Sequence, residues 1–257
     1  MTSSDWKSVC RVLPGCLLLV MALTGCQPKA TSEAASGPPD FTGTWMPQAR
    51  RAAPWPDPLP LTPTARTAMA NFNPEGHDPT RFCMPFGTPR NMLQTEFPLE
   101  IVQTPARVVM VWQPNLSNSE VRRIPVDGSP LPQSPDPSWF GTSRGRWEGS
   151  TLVIETIGLR PDALIDGKGI SHSAGLRVVE RLSVVNDAEL GKVMINDMEL
   201  HDAQAYTQPL KTRRYFVSAP QAHFGDSSCS ERRWIEKLWH DRLQEHSQAA
   251  RGAKKAK

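Results

Sequence analysis

Ionisable side chains suited to acid–base chemistry are concentrated in the second half of the sequence. They are Arg146, Glu148, Glu155, Asp166, His172, Glu180 and Arg181, and Arg90 from the first half can join them. A histidine and a carboxylate can exchange protons with a substrate, while an arginine can hold an anionic group. The same residue types also form ion-pair networks that fix the register of strands. For each residue taken alone we favour this structural interpretation.

Two of the carboxylates are predicted to lie on β-strands among apolar neighbours. Side chains alternate between the two faces of a strand, and this alternation places both Glu180 and Glu155 on otherwise apolar faces. A buried charge without a partner is costly, so we predict that Arg146 or Arg90 pairs with a carboxylate inside the fold. If both acids face a cavity, they form the polar floor of a ligand pocket with His172 as acid or base.

The sequence contains no motif of an established catalytic or metal site. It has no Gly-x-Ser-x-Gly, no His-Glu-x-x-His and no phosphate-binding loop. The six histidines lack the spacing of metal ligands, so we predict neither a metal nor a cofactor. Trp112, Trp139 and Trp147 are predicted near strand ends, where they either line a pocket mouth or pack in the core, and we favour packing.

The elements that must position these residues are mainly β-strands. Runs with period-two alternation, separated by turn residues, predict strands at 40–46, 99–103, 107–113, 120–126, 141–147, 151–159, 176–185, 191–200 and 211–218. Helices are predicted at 64–72 and from Ser230 onward. The second helix carries Trp234, Ile235, Leu238, Trp239 and Leu243 at helical spacing. We expect this stripe to cover one end or side of the β core.

The order of these elements predicts a mainly β fold. Successive hairpins leave exposed strand edges unless the sheet closes or a second sheet covers it. We therefore predict an antiparallel up-and-down, lipocalin-like barrel with a Pro-rich N-terminal segment and a C-terminal helix. A β-sandwich is the alternative. The 25 prolines favour a loop-rich β domain over a helical bundle.

The N-terminus has the pattern of a bacterial lipoprotein signal peptide. Lys7 and Arg11 precede an apolar run that is too short for the roughly 20 residues of a membrane span. Leu23-Thr24-Gly25-Cys26 follows, and in such a signal the cysteine thiol accepts a diacylglycerol before cleavage. We predict an envelope protein anchored to a bilayer through Cys26. Gln27, in place of aspartate, favours the outer membrane, facing the periplasm.

The chain is therefore divided into four regions. Residues 1–25 are the signal peptide, 26–39 a flexible tether, 40–245 a single β-rich domain with its C-terminal helix, and 246–257 a basic disordered tail. The formal net charge of +3 gives no strong basic field over the domain. We therefore expect no nucleic-acid partner.

Two cysteines remain after signal cleavage and lipidation. Cys10 and Cys16 leave with the signal, and Cys26 carries the lipid, so that Cys83 and Cys229 stay in the domain. In the oxidising periplasm we expect these two to form a disulfide. Two unpaired thiols are the alternative, and a metal site is less favoured.

Several short motifs are shared with a known group of proteins. They are DFTGTW at 40–45, LTP at 61–63, Cys83 with Pro85, Gly87, Pro89, Arg90 and Met92, EIVQTP at 100–105, RRI at 122–124, GRWEG at 145–149, and His172-Ser173 with Leu176, Val178, Glu180 and Arg181. With them the chain resembles a large family of uncharacterised exported bacterial proteins, here of the lipoprotein type. Ser150 stands where the family pattern has aspartate. The resemblance implies no particular activity.

These observations lead to three hypotheses for function. The first is a lipid-anchored module that binds a small apolar or amphipathic molecule. The second is an acid–base enzyme, a hydrolase, lyase or isomerase, that uses the cluster of His172, Glu180 and Arg146. The third is a structural lipoprotein of the envelope, which predicts neither a pocket nor a cluster.

Overall fold

The computed structural model describes residues 37–113 and 120–224, together with 236, 239–241, 243 and 244. All of them belong to one compact unit, Ala35–Lys257. The predicted signal peptide, Cys26, Cys229 and the basic tail lie outside the described residues. No helix among the described residues is long and apolar enough to cross a membrane.

Nine strands form one sheet, and each overlaps one of the strands predicted from the sequence. They are β1 (Gly43–Pro47), β2 (Leu99–Gln103), β3 (Arg107–Trp112), β4 (Glu120–Pro125), β5 (Thr142–Glu148), β6 (Thr151–Ile157), β7 (Arg177–Asp187), β8 (Gly191–His201) and β9 (Leu210–Ser218). The order in the sheet is β4-β3-β2-β1-β9-β8-β7-β6-β5. Because β1 pairs with β9, the sheet curls into a nearly closed barrel. The predicted mainly β, up-and-down, lipocalin-like barrel is confirmed.

The barrel has one seam, between β4 and β5. Every paired neighbour in the sheet is antiparallel. Eight reversals of direction separate β4 from β5, so these two strands run the same way. Parallel strands cannot be joined by a tight turn, and the Pro-rich stretch 126–141 must therefore return along the length of the barrel.

Direct packing of side chains closes part of this seam. An added Cβ on Gly145 of β5 would lie 2.7 Å from Val126 Cγ1 and 3.2 Å from Ile124 Cγ2. Only glycine lets the end of β4 approach β5 this closely. This gives Gly145, the first glycine of the GRWEG motif, a structural role at the seam.

The longer connections gather at one end of the barrel, which we call the capped end. It receives the segment between β1 and β2 and the connections β6–β7 and β8–β9, whereas β2–β3, β5–β6 and β7–β8 turn at the opposite end. The first of these segments contains the helices α1 (Pro63–Ala70), α2 (Pro74–His77) and α3 (Arg90–Leu93) and the 3₁₀ turns Ala49–Arg51 and Pro79–Phe82. Helix α1, predicted at 64–72, begins after Thr62, whose Oγ1 accepts a hydrogen bond from Ala65 N.

The core is continuous from the barrel interior into the capped end. Trp45, Met110 and Phe216 on the barrel wall pack in the same cluster as Met92 of α3 and Ile165 of the β6–β7 connection. The capping segments are thus packed onto the barrel rather than laid over it. They supply a rigid base for any site at this end.

The predicted packing of the C-terminal helix is wrong for the two described apolar side chains. Residues 236, 239–241, 243 and 244 are helical. Trp239 and Leu243 are 62% and 66% exposed, so they do not cover the β core. A helical period identifies an apolar face, but it does not identify what that face contacts.

The contact at the seam predicts the effect of adding one methyl group. We expect Gly145→Ala to lower the free energy of unfolding by about 1–3 kcal/mol, because the new Cβ overlaps Val126. Urea unfolding measures the change. Gly37→Ala is the control, since nothing lies within 4 Å of its added Cβ. Equal stability of the two variants would contradict this account of the seam.

Candidate functional site

A row of polar side chains crosses the interior of the barrel. It has one member on each of the strands β4 to β8: Arg122, Ser143, Thr156, Glu180 and Asn196. Arg122 Nη2 lies 2.5 Å from Glu180 Oε2 and donates to Thr156 Oγ1 at 2.7 Å. Arg122 Nε donates to Ser143 Oγ at 3.1 Å, and Asn196 Nδ2 donates to Glu180 Oε1 at 3.2 Å. Arg122 therefore connects β4 to the strands across the seam.

This interior row is sealed from water. Glu180 and Asn196 have 0% exposed surface, and Arg122 has 2%, so protein atoms fill the space around them. Arg122 Nη1 and Asn196 Oδ1 have no hydrogen-bond partner in the described part of the chain. Glu180 Oε2 is held by the charge of Arg122 rather than by an aligned hydrogen bond. We interpret the row as a structural clamp, since Glu180 and Asn196 have no exposed surface that a ligand could contact.

For Glu180, the predicted strand face is correct and the predicted ion-pair partner is wrong. Glu180 points into the apolar interior, as the strand alternation indicated. Its partner is Arg122 and not Arg146 or Arg90. Arg122 lies far away in the sequence and on the other side of the seam, so only the closure of the barrel brings the two together.

Four of the predicted site residues form a network on the outer wall of the barrel. Arg146 pairs with Glu148 at 2.8 Å and with Glu155 at 2.9 Å, and Arg181 pairs with Glu148 at 2.6 Å. Arg177 also pairs with Glu155 at 2.8 Å. Glu155 therefore faces outward, contrary to the idea that it lines a cavity together with Glu180. Burial raises the pKa of Glu155, but hydrogen bonds from Arg177 and Arg146 outweigh this and lower it overall.

Arg90 is engaged in the capping segment. Its Nη1 and Nη2 donate to the two carboxylate oxygens of Asp78 at 2.7 and 2.8 Å. Its guanidinium also lies 4.9 Å from the centre of the Phe86 ring. Both members of this pair are almost fully buried, at 5% and 4% exposure. The pair joins α3 to the turn after α2, so Arg90 has a structural role.

His172 and Asp166 organise the β6–β7 connection. His172 Nδ1 lies 2.8 Å from the carbonyl oxygen of Ser173, and Asp202 accepts hydrogen bonds from Ser173 N and Oγ. Burial lowers the pKa of His172, opposed by the Ser173 carbonyl and by Asp202 and Asp162. Asp166 Oδ1 accepts from Lys168 N and Ile170 N within its own turn.

The predicted catalytic cluster is therefore not assembled. Glu180 lies inside the barrel, Arg146 lies on the outer wall, and His172 lies in a connection at the capped end. Among the described residues no hydrogen bond or ion pair joins any two of the three. The alternative of an acid–base enzyme that uses this cluster has no geometric support.

The capped end instead contains a cavity of about 210 Å³. Its lining residues are Gly76, His77, Pro79, Phe82, Met84, Trp139, Arg160 and Asp162. They come from α2 and the following turn, from the end of the 126–141 stretch, and from the start of the β6–β7 connection. Apolar and aromatic side chains lie beside one cation, one anion and one histidine. This mixture is typical of small-molecule sites.

Two side chains form the polar part of the cavity. Arg160 Nε and Nη2 donate to the two oxygens of Asp162 at 2.8 and 2.5 Å. These hydrogen bonds lower the pKa of Asp162, so it stays ionised. The Arg160 guanidinium lies 4.9 Å from the centre of the Trp139 ring. Arg160 Nη1 makes no hydrogen bond within the described residues and is therefore available to a ligand.

Backbone contacts fix Trp139 in this position. Thr88 N donates to the Trp139 carbonyl at 2.9 Å. Gly87 has a φ of 69°, and an added Cβ there would lie 2.3 Å from the same carbonyl oxygen. Ser138, next to Trp139, bridges to Leu159. Backbone contacts among these segments thus hold Trp139 close to the Arg160–Asp162 pair.

Sequence reasoning found only part of this cavity. It named Trp139 as a residue near a strand end, and Trp139 does line the cavity, whereas Trp112 is buried in the core. It did not single out Arg160, Asp162 or His77. The only available signal was the Arg-x-Asp spacing of Arg160 and Asp162, which is common in turns.

Comparison with known proteins adds little to this description. No protein-family model and no curated protein matches the sequence. Among solved structures, the chain is similar to the zebrafish ileal bile acid-binding protein complexed with cholic acid. The identity is 13%, the match covers 70% of this chain and 98% of that chain, and the TM-score is 0.33. So distant a similarity carries no argument about the site.

Two matched glutamate variants compare how much the interior clamp and the outer network each contribute to the stability of the fold. We expect Glu180→Gln to lower the free energy of unfolding by about 3–5 kcal/mol, because it leaves Arg122 buried and unpaired. Glu155→Gln should cost less than about 1 kcal/mol, because its partners are about half exposed. Urea unfolding at neutral pH measures both. Similar losses in the two variants would show that the interior pair does not hold the seam.

Proposed function

We propose that the protein is a lipid-anchored protein of the cell envelope that binds a small amphipathic molecule in the cavity at the capped end. One observation carries this proposal. A preformed cavity of about 210 Å³ has an aromatic and apolar wall facing a fixed Arg160–Asp162 pair.

The lining indicates the chemistry of the ligand. Phe82, Met84 and Trp139 offer an apolar surface to a ring or a short chain. Arg160 Nη1 offers a hydrogen bond to an acceptor such as a carboxylate or carbonyl oxygen. Asp162 already balances much of the Arg160 charge, so the ligand needs an acceptor more than a full negative charge. The volume lies below the roughly 300–1,000 Å³ of drug-sized pockets, which favours a compact ligand.

The location of the anchor suits this binding mode. β1 begins at the end of the barrel opposite the cap, so the tether from Cys26 reaches the domain there. A lipid on Cys26 would tether the domain through that end of the barrel. The signal-peptide pattern and the resemblance to exported proteins support this arrangement.

We also propose that Cys83 and Cys229 form the disulfide expected of an exported protein. Cys83 is held at the end of the 3₁₀ turn next to the cavity, with a φ of 63°. Cys83 is not free in the structure, which supports a pairing. Such a bond would tie the wall of the cavity to the C-terminal region.

Ligand binding is tested by intrinsic tryptophan fluorescence. Titration with a panel of single-ring aromatic carboxylates, phenols and short-chain fatty acids should change the emission saturably for at least one compound. Trp139→Phe should remove most of that change, whereas Trp147→Phe, on the barrel wall against Phe41, should keep it. Arg160→Gln should weaken binding about tenfold, by loss of one charge-assisted hydrogen bond.

Arg177→Gln is the control for Arg160→Gln, because Arg177 belongs to the outer network. Both variants remove one arginine charge from an exposed ion pair. If they weaken binding equally, or if no compound on the panel saturates, the cavity is not the binding site.

Intact-mass spectrometry of protein extracted from membranes tests the anchor and the disulfide together. We expect the mass of a chain that begins at Cys26 and carries acyl groups, with a gain of two hydrogens on reduction. Cys26→Ala should abolish the acyl mass and the membrane association. An unacylated chain in the wild type, or no gain on reduction, would contradict the respective assignment.

A further inference from the structure

His77 lies in the wall of the cavity and is held in one orientation. The backbone N–H of Asn73 donates to His77 Nδ1 at 3.1 Å. The imidazole also packs against Phe72, with the ring centres 6.1 Å apart. Phe72 in turn lies tightly against the β6–β7 connection, because an added Cβ on Gly169 would lie 2.4 Å from Phe72 Cγ. The imidazole therefore cannot turn over without losing the hydrogen bond from Asn73.

This hydrogen bond determines which nitrogen of His77 carries the hydrogen. A backbone N–H can only donate, so Nδ1 is the acceptor and carries no hydrogen. The neutral imidazole then carries its hydrogen on Nε2. Within the described part of the chain, the bond from Asn73 is the only hydrogen bond of the His77 ring. His77 therefore offers a hydrogen-bond donor, Nε2–H, to a molecule in the cavity.

The acceptors at the cavity are already engaged. Both carboxylate oxygens of Asp162 accept hydrogen bonds from Arg160, and the carbonyl oxygen of Trp139 accepts one from Thr88 N. The polar side chains of the lining thus have two donors left for a ligand, Arg160 Nη1 and His77 Nε2. A hydroxyl or ammonium group that enters without an acceptor for its hydrogen is costly to bury. A polar group that only accepts hydrogen bonds suits this lining.

We propose that the cavity binds a compact aromatic carboxylate, whose oxygens accept hydrogen bonds from Arg160 Nη1 and His77 Nε2. The assignment rests on the proposed function and adds to it a class of ligand and a second polar contact. An ionised carboxylate has acceptors and no donor, and its hydrogen bonds are stronger than those of a neutral oxygen. Arg160 balances the charge of Asp162, so the carboxylate meets a nearly neutral ion pair together with two donors. The ring of the ligand lies against Phe82 and Trp139.

The position of the hydrogen on His77 is measured by ¹⁵N NMR of the imidazole at mildly alkaline pH, where a histidine ring is neutral. The chain from Gln27 onward is used, which retains the compact unit Ala35–Lys257. We expect the nitrogen shifts of a ring that carries its hydrogen on Nε2. A hydrogen on Nδ1 would overturn the assignment, because His77 would then offer an acceptor to the cavity.

Calorimetric titration of the same chain compares benzoate, benzyl alcohol and benzylamine, which share one ring and differ in the polar group. Benzoate should bind about tenfold more tightly than the other two. His77→Phe should weaken the binding of benzoate about fivefold, by loss of one hydrogen bond, and His77→Gln, which keeps an amide donor, should recover part of that loss. His201→Phe is the control, since His201 lies beside Glu199 on the outer wall. Equal effects of His77→Phe and His201→Phe would overturn the role of His77.

The three compounds also separate failure of this assignment from failure of the proposed function. Binding of benzyl alcohol or benzylamine as tight as that of benzoate would overturn the carboxylate assignment and leave the cavity as a binding site. The absence of saturable binding by all three, and by every compound of the wider panel, would overturn both.

Discussion

The closure of the barrel depends on how one seam is held. Nine strands with antiparallel pairing throughout leave β4 and β5 running in the same direction, so no hairpin can join them. The seam is held by side chains instead: Gly145 lets Ile124 and Val126 approach, and Arg122 reaches across to Glu180. Removing one partner of a buried ion pair strongly destabilises the fold, because the remaining charge stays buried without a partner. The polar side chains inside the barrel at the seam therefore stabilise the fold rather than bind a ligand.

The same seam determines where a site can form. Because the stretch 126–141 must return along the barrel, its end arrives at the capped end and delivers Trp139 beside the β6–β7 connection. The segment between β1 and β2 reaches the same end with Phe82 and Met84. Three distant parts of the chain thus enclose the cavity. The opposite end, with its short turns, carries the chain termini of the barrel and the predicted membrane attachment.

Alternation along the strands explains why a cluster that looked catalytic is dispersed. Glu180 and Arg181 are adjacent in sequence but point to opposite sides of the barrel wall. Glu155 shares its outward face with Val153, an apolar residue. Val153 is fully buried although it faces outward, and its strand partners are Arg146 and Arg181. A buried side chain on a strand of the barrel wall can therefore still point away from the barrel interior. The ion pairs on the outside keep their carboxylates charged, as the lowered pKa values of Glu148 and Glu155 indicate.

The sequence by itself determined the number and order of the strands and the position of Glu180 on an apolar face, because alternation and turn residues are local signals. It also predicts the lipid anchor, through a pattern that a peptidase reads in an extended segment. Only the tertiary structure decided that Arg122 pairs with Glu180, that Arg160 and Asp162 face Trp139, and that Trp239 stays exposed. The contacts of Arg122 with Glu180 and of Arg160 with Trp139 join residues on different strands and connections, so they exist only once the barrel has closed and its connections lie at one end.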